Sequence, residues 1–244
     1  MIEDWAICYR NDKYKVLRQD RSNNLFFTTS KNSIKIVKDL TFSSLDSQIK
    51  FEIDGIRGDQ IQDFRPFNYY TYLIFASRNG ILSVLNWKNE LICTHSLPLR
   101  SKERVTCLSV GRNNNYIIVA TCNEEGHSPR LYLFEYHNLE RFRFLDVYDF
   151  DEMKDKLSKK NSSYIYDISM DYYLYGRPVI VAVQCHYERR LIVFTVMDDR
   201  LLNFFQKDCK YSNCRVVRAN DDESVAVVGS NQCITIMSFL ALKA

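Results

Sequence analysis

Five segments of this chain repeat one pattern: NNLFFTTS ending at Ser30, YLIFASRN (72–79), YIIVATCN (116–123), VIVAVQCH (179–186) and SVAVVGSN (224–231). Each is an apolar run rich in β-branched or aromatic residues that closes in small or polar ones. A strand buried on both faces and then released into a turn has this composition. After each comes a short polar stretch and a further run: IKIVKDL from Ile34, ILSVLNW from Ile81, LYLFEY from Leu131, LIVFTV from Leu191 and ITIMSF from Ile234. The centres of these later runs, Ile36, Val84, Leu133, Val193 and Ile236, are 48, 49, 60 and 43 residues apart.

Before each pair stands an inner strand: KYKVLRQD (13–20), IQDFRPF (61–67), VTCLSV (105–110), IYDISM (165–170) and CRVVRA (214–219). An outer strand follows four of the pairs: IKFEIDG (49–55), LICTHSL (91–97), RFRFLDVYDF (141–150) and LLNFFQK (201–207). The fifth unit has no such strand after it, whereas DWAICYR (4–10) is a strand without a unit. Pairing it onto the last unit would close a ring and remove an exposed sheet edge. Four strands per unit at a period near 45 residues is the signature of a β-propeller. On these residues the chain resembles the WD-repeat propellers over essentially its whole length, with degenerate motifs. The Trp-Asp positions fall on Val37-Lys38, Leu85-Asn86, Phe134-Glu135, Phe194-Thr195 and Met237-Ser238, so an apolar residue fills every Trp place. Gly126-His127 lies in the loop before a third strand, away from the family's Gly-His position.

The expectation is an all-β, single-domain β-propeller of about five four-stranded blades, spanning roughly 13–55, 61–97, 105–150, 164–207 and 214–240, with strand 4–10 completing the last. A ring opened and completed by a partner is the variant of this reading, and a two-sheet sandwich of short strands is its competitor. The long step between Leu133 and Val193 is assigned to a short helix over 150–160, FDEMKDKLSKK, in which Phe150, Met153 and Leu157 share one face. Acidic residues early and lysines late suit the helix dipole.

Composition narrows the function. The 33 basic and 30 acidic residues leave a net charge of +3, too even to demand nucleic acid or an anionic membrane. The start Met1-Ile-Glu-Asp-Trp5 lacks the basic and apolar regions of a secretory signal, and no apolar run is long enough to span a bilayer. The expected location is intracellular, cytoplasmic or nuclear, with the eight cysteines reduced.

No G-x-S-x-G, G-x-G-x-x-G or P-loop pattern is present. Of the four histidines, His95 and His137 read as structural and His127 and His186 as loop residues. Cys185, His186, Cys209 and Cys214 lack the C-x-x-C spacing of a zinc site. Asp63 and Asp167, on inner strands, are the candidates for a glycoside hydrolase with carboxylates at the channel mouth; hydrogen bonding to neighbouring backbone is the competing role. The expectation is no catalytic residue, no metal and no cofactor.

The two rims of the disc differ in charge. Loops joining outer to inner and second to third strands carry +5, and the opposite set carries −6. Arg100, Lys102, Arg104, Arg130, Arg189 and Arg190 fall on the basic rim. Tyr69, Tyr70, Tyr172, Tyr173 and Tyr175 fall on the acidic one, where stiff amphipathic rings suit protein contact. These eleven residues are the predicted protein-binding set of a non-catalytic scaffold in a multiprotein complex. Binding of nucleic acid through the basic rim is a secondary reading.

Overall fold

The computed structural model describes residues 14–19, 25–29, 33–37, 48–52, 61–67, 72–86, 90–111, 115–138, 141–151, 163–174, 177–186, 190–208, 215–218, 224–228 and 234–238. These residues form five separate antiparallel sheets. The first contains β1 (Tyr14–Gln19), β2 (Leu25–Thr29), β3 (Ser33–Val37) and β4 (Gln48–Glu52). The second contains β5 (Ile61–Phe67), β6 (Tyr72–Ser77), β7 (Ile81–Asn86) and β8 (Leu91–Ser96). The third contains β9 (Glu103–Val110), β10 (Tyr116–Asn123), β11 (Arg130–Asn138) and β12 (Arg141–Asp149). The fourth contains β13 (Ser163–Leu174), β14 (Arg177–His186), β15 (Arg190–Met197) and β16 (Arg200–Asp208). The fifth shows three strands, β17 (Arg215–Arg218), β18 (Ser224–Val228) and β19 (Ile234–Ser238).

Within each sheet, strand order follows chain order, so every unit is a meander. Five meanders are incompatible with the two sheets of a sandwich. First strands of successive sheets stand side by side: β1 by β5, β5 by β9, β9 by β13 and β13 by β17.

Burial explains the repeating pattern. The second strand of each unit is interior to its sheet, and in the third unit it is covered by a sheet on either side. In β10, Ile118 and Ala120 enter the core shared with the fourth sheet, while Ile117 and Val119 enter the core shared with the second. A strand with two buried faces has no polar alternation, and β10 reads accordingly. By contrast β8, at a sheet edge, contains only exposed and half-buried residues. Each buried Leu, Ile or Phe in these inter-sheet cores stabilises the fold by roughly 1.5–3 kcal/mol.

One expectation on strand extent is corrected. Tyr172 and Tyr173 lie in β13, opposite Val179 and Pro178 in the β13–β14 hairpin, instead of in a loop. Tyrosine favours the pleated conformation, and here the aromatic stretch prolongs the hairpin beyond the six residues expected of the inner strand. The 12-residue β13 and 10-residue β14 account for part of the long step between Leu133 and Val193. The remainder lies in 152–162, outside the described residues, as does nearly all of the expected 150–160 helix. Phe150 and Asp151 are in a turn, and no helix occurs among the described residues. The strand expected at 4–10, and with it the closure of the ring, also lies outside them.

Candidate functional site

Two polar clusters stand out, one along the inner strands and one on the rim of the third sheet. The inner cluster is built by a repeated irregularity. The ladder slips between Ile61 and Asp63 in β5, opposite Ala120 and Thr121 in β9, and between Ile165 and Asp167 in β13. A bulge leaves one residue unpaired and redirects those after it. It therefore puts Asp63, Cys107 and Asp167 at matching places in three sheets.

From these places side chains join sheets that no backbone ladder connects. Asp63 Oδ2 accepts from the Leu108 amide at 2.9 Å and its Oδ1 from the Phe64 amide at 2.8 Å. Ser109 Oγ accepts from the Met170 amide at 3.1 Å, and the Cys107 thiol donates to the Ile165 carbonyl at 3.8 Å. Arg65 reaches from the second sheet to the fourth, donating to the Ile168 carbonyl at 3.3 Å. On the way its Nη2 passes 3.8 Å from Asp63 and 3.6 Å from Asp167. Both carboxylates are only 2% exposed. One guanidinium thus ties together the two residues that a hydrolase would need open to a sugar and a water.

The rim cluster centres on Glu103, at the start of β9. Thr121 donates to its Oε1, Tyr132 Oη donates to Oε2 at 2.9 Å, and the Arg100 amide donates to Oε2 at 2.8 Å. Arg130 stands 3.4 Å from the same carboxylate and donates from Nε to Asp149 Oδ2 at 2.7 Å. Burial, reinforced by the Glu103 bond, holds the Tyr132 phenol protonated far above its ordinary range. Burial opposes the charge on Arg130, but its bond to Asp149 and the nearby Glu103 outweigh that and raise its pKa. This is a buried, satisfied network of the kind that fixes one arrangement of a sheet.

The predicted site residues therefore divide. Arg130 is only 8% exposed and belongs to the interior network rather than the rim surface, because Glu103 and Asp149 draw it inward. Arg100 is exposed, but its guanidinium lies 3.2 Å from Asp149. Arg190 is half-buried and stands 3.5 Å from Asp208. Lys102 is exposed and held at φ 63°, a conformation uncommon outside glycine. Arg104 is half-buried beside Cys122, whose thiol burial pushes up and Arg104 partly restrains. Tyr172 and Tyr173 lie in β13. Tyr69, Tyr70, Tyr175 and Arg189 lie outside the described residues.

The histidines and cysteines are equally dispersed. His95 packs edge-on to Phe134 and Phe142 with centroids 5.9 and 5.8 Å away. His137 Nε2 lies 3.2 Å from Glu135. His127 sits in the β10–β11 loop, where its amide donates to Asn123 Oδ1. Cys185 and His186 end β14, and Cys209 and Cys214 lie outside the described residues.

The Trp places of the repeat are structural. Phe134 and Phe194 are fully buried at the junctions between the second and third and the third and fourth sheets, each touched by an aromatic ring of the preceding outer strand. Successive four-stranded meanders, first strands side by side and wedged apart by these rings, are the blades of a propeller. The fold is a WD-repeat-like β-propeller.

This propeller is similar to the β-propeller domain of Myceliophteria thermophila Cps50 (Swd1), with a TM-score of 0.63 at 11% identity, covering 88% of this chain and 66% of that one. It is also similar to KlHsv2 carrying a Gly-Ser linker in place of loop 6CD, with a TM-score of 0.53 at 16% identity, covering 91% of this chain and 63% of that one. The chain thus spans somewhat under two thirds of the length of these propellers. No family model and no curated protein matches the sequence.

Sequence reasoning passed over Arg78. It is exposed in the turn between β6 and β7, and its carbonyl accepts from the Val105 amide of the next sheet at 3.0 Å. Its place in an Arg-Asn-Gly turn on the basic rim was the available signal.

Proposed function

We propose that this propeller is a non-catalytic scaffold, a subunit of a multiprotein complex that presents its rims to other proteins. The observation that carries the reading is the inner cluster: Asp63 accepts two backbone amides and shares Arg65 with Asp167. These carboxylates act as inter-blade staples, and a staple buried to 2% exposure is unsuited to general acid or base work on a bulky substrate. The broad, rigid surface of a propeller with unlike rims suits the holding of partners.

In this reading five blades form the ring, residues 4–10 complete the last blade, and the protein works in the cytoplasm or nucleus without cofactor or metal. No helix among the described residues is long and apolar enough to cross a membrane. The test is to isolate the tagged, intact chain from its native cells and determine the mass and stoichiometry of what accompanies it. Defined, stoichiometric protein subunits are expected. A chain recovered alone, or a glycosidase activity abolished by replacing Asp63 and Asp167 with Asn, would overturn the proposal.

A further inference from the structure

By sequence the basic rim carries more cations than carboxylates, and among its described residues the structure separates those paired with a carboxylate from the rest. Asp149 takes both Arg100 and Arg130, and Glu103 takes Arg130 while turning inward to Tyr132 and Thr121. Arg78, Lys102 and Arg104 are left with no carboxylate within salt-bridge distance among the described residues. All three gather where the second and third sheets meet. The Val105 amide bonds the Arg78 carbonyl, which places Arg78 beside Arg104, and both guanidinium groups act on the Cys122 thiol. Lys102 lies two residues before Arg104, and its carbonyl is tied by the Glu124 amide at 2.9 Å.

We propose that Arg78, Lys102 and Arg104 form a docking site for an acidic peptide segment of a partner protein, a site that rests on the scaffold reading. The positive charges of these three residues are complementary to a run of carboxylates, and two guanidinium forks offer them bidentate pairing. Their half-exposed or exposed backbone setting is rigid. Gly80, at the end of the Arg78 turn, donates to Ser77 and accepts from Leu97, and the loop that follows is held by bonds from Leu99 and Glu103.

Two observations favour a peptide over nucleic acid. The cationic patch is compact and bordered by exposed Glu124 and Glu125 on the adjoining loop, so it suits a short run of negative charge that ends at this border rather than a long phosphate backbone that must cross it. Stacking platforms for bases are also lacking nearby among the described residues, where the exposed large apolar side chains include one ring, Phe144, on outer strand β12.

The test uses fluorescence anisotropy with the full chain, a labelled poly-glutamate peptide and a single-stranded oligonucleotide of equal charge. Binding of the peptide is expected, weakening about tenfold or more in the Arg78→Gln/Lys102→Gln/Arg104→Gln variant, as three part-exposed pairs would give. Replacing exposed Arg141, Arg177 and Arg200 by Gln should leave it unchanged. Arg78→Glu alone, in an exposed turn, provides a second variant should the triple one melt early. Absence of peptide binding, equal loss in the control variant, or tighter oligonucleotide binding through the same three residues would overturn the site. Native isolation separates this from the broader reading. A complex that survives the triple substitution intact defeats the docking site alone, whereas a wild-type chain found without stoichiometric subunits defeats the scaffold as well.

Discussion

Tyr148 meets Phe194 edge to face with ring centroids 4.8 Å apart, and one blade earlier His95 meets Phe134 in the same relation at 5.9 Å. In each case a ring on the outer strand of one blade abuts the Phe that fills the Trp place in the third strand of the next. Register makes the pairs equivalent: Tyr148 lies opposite Leu131, and His95 opposite Leu82. Cohesion between these blades therefore rests on aromatic wedges rather than on the Trp-Asp pairs of regular repeats.

Phe194→Ala and Phe134→Ala should each cost about 3–5 kcal/mol, the penalty for removing a fully buried ring from a packed junction. Urea unfolding followed by far-UV circular dichroism measures the loss. Phe194→Leu should recover most of it by retaining volume.

Burial lowers the pKa of His95 below the ordinary 6.5, so the fold favours the neutral imidazole between Phe134 and Phe142. Its contribution to stability is complete above the unfolded value and is lost as pH falls from about 6.5 through the lower folded value. The melting temperature should decline across that window, and His95→Gln should flatten the His95 part of the decline. A parallel pH profile in the two proteins would remove this role.

Asp63→Ala should leave the buried Leu108 and Phe64 amides without their acceptors and remove one carboxylate from Arg65. A loss of roughly 2–4 kcal/mol is expected. Faster hydrogen exchange at Leu108, measured by mass spectrometry on proteolytic fragments, would locate it at the β5–β9 junction. Asp63→Asn should be milder, because one amide oxygen can still accept.

Gly80 adopts φ 88°, and a Cβ there would stand 2.5 Å from Leu99 Cδ1. Gly80→Ala should destabilise by about 1 kcal/mol or more, from left-handed strain together with the displacement of Leu99. Gly126 provides the contrast, with φ 80° but open space around its Cβ direction. Gly126→Ala should thus be the less damaging of the two in a thermal melt.

The strands and their grouping were legible along the chain because burial on both faces writes continuous apolar runs, while turns interrupt them with small and polar residues. IQDFRPF, predicted as an inner strand, is β5 residue for residue, and the Trp places were recognisable because Phe134 and Phe194 recur at one position in a repeat. The accessibility of individual charges was not legible. Arg130 and Arg104 look alike as rim residues along the chain, yet Arg130 is drawn inward by Glu103 and by Asp149, which is 19 positions away, while Arg104 pairs with no carboxylate among the described residues. Likewise the sequence favoured a backbone-bonding role for Asp63 over an acid catalyst without naming its partner, and only the fold placed the Leu108 amide of the next blade against it. The sequence by itself determined the order and approximate place of the strands in the described blades and the apolar runs at their centres, since those depend on local periodicity and composition. Only the tertiary structure decided which charges face a partner and which are neutralised within, because ion pairing and hydrogen bonding between blades depend on distances of a few ångströms that spacing along the chain does not encode.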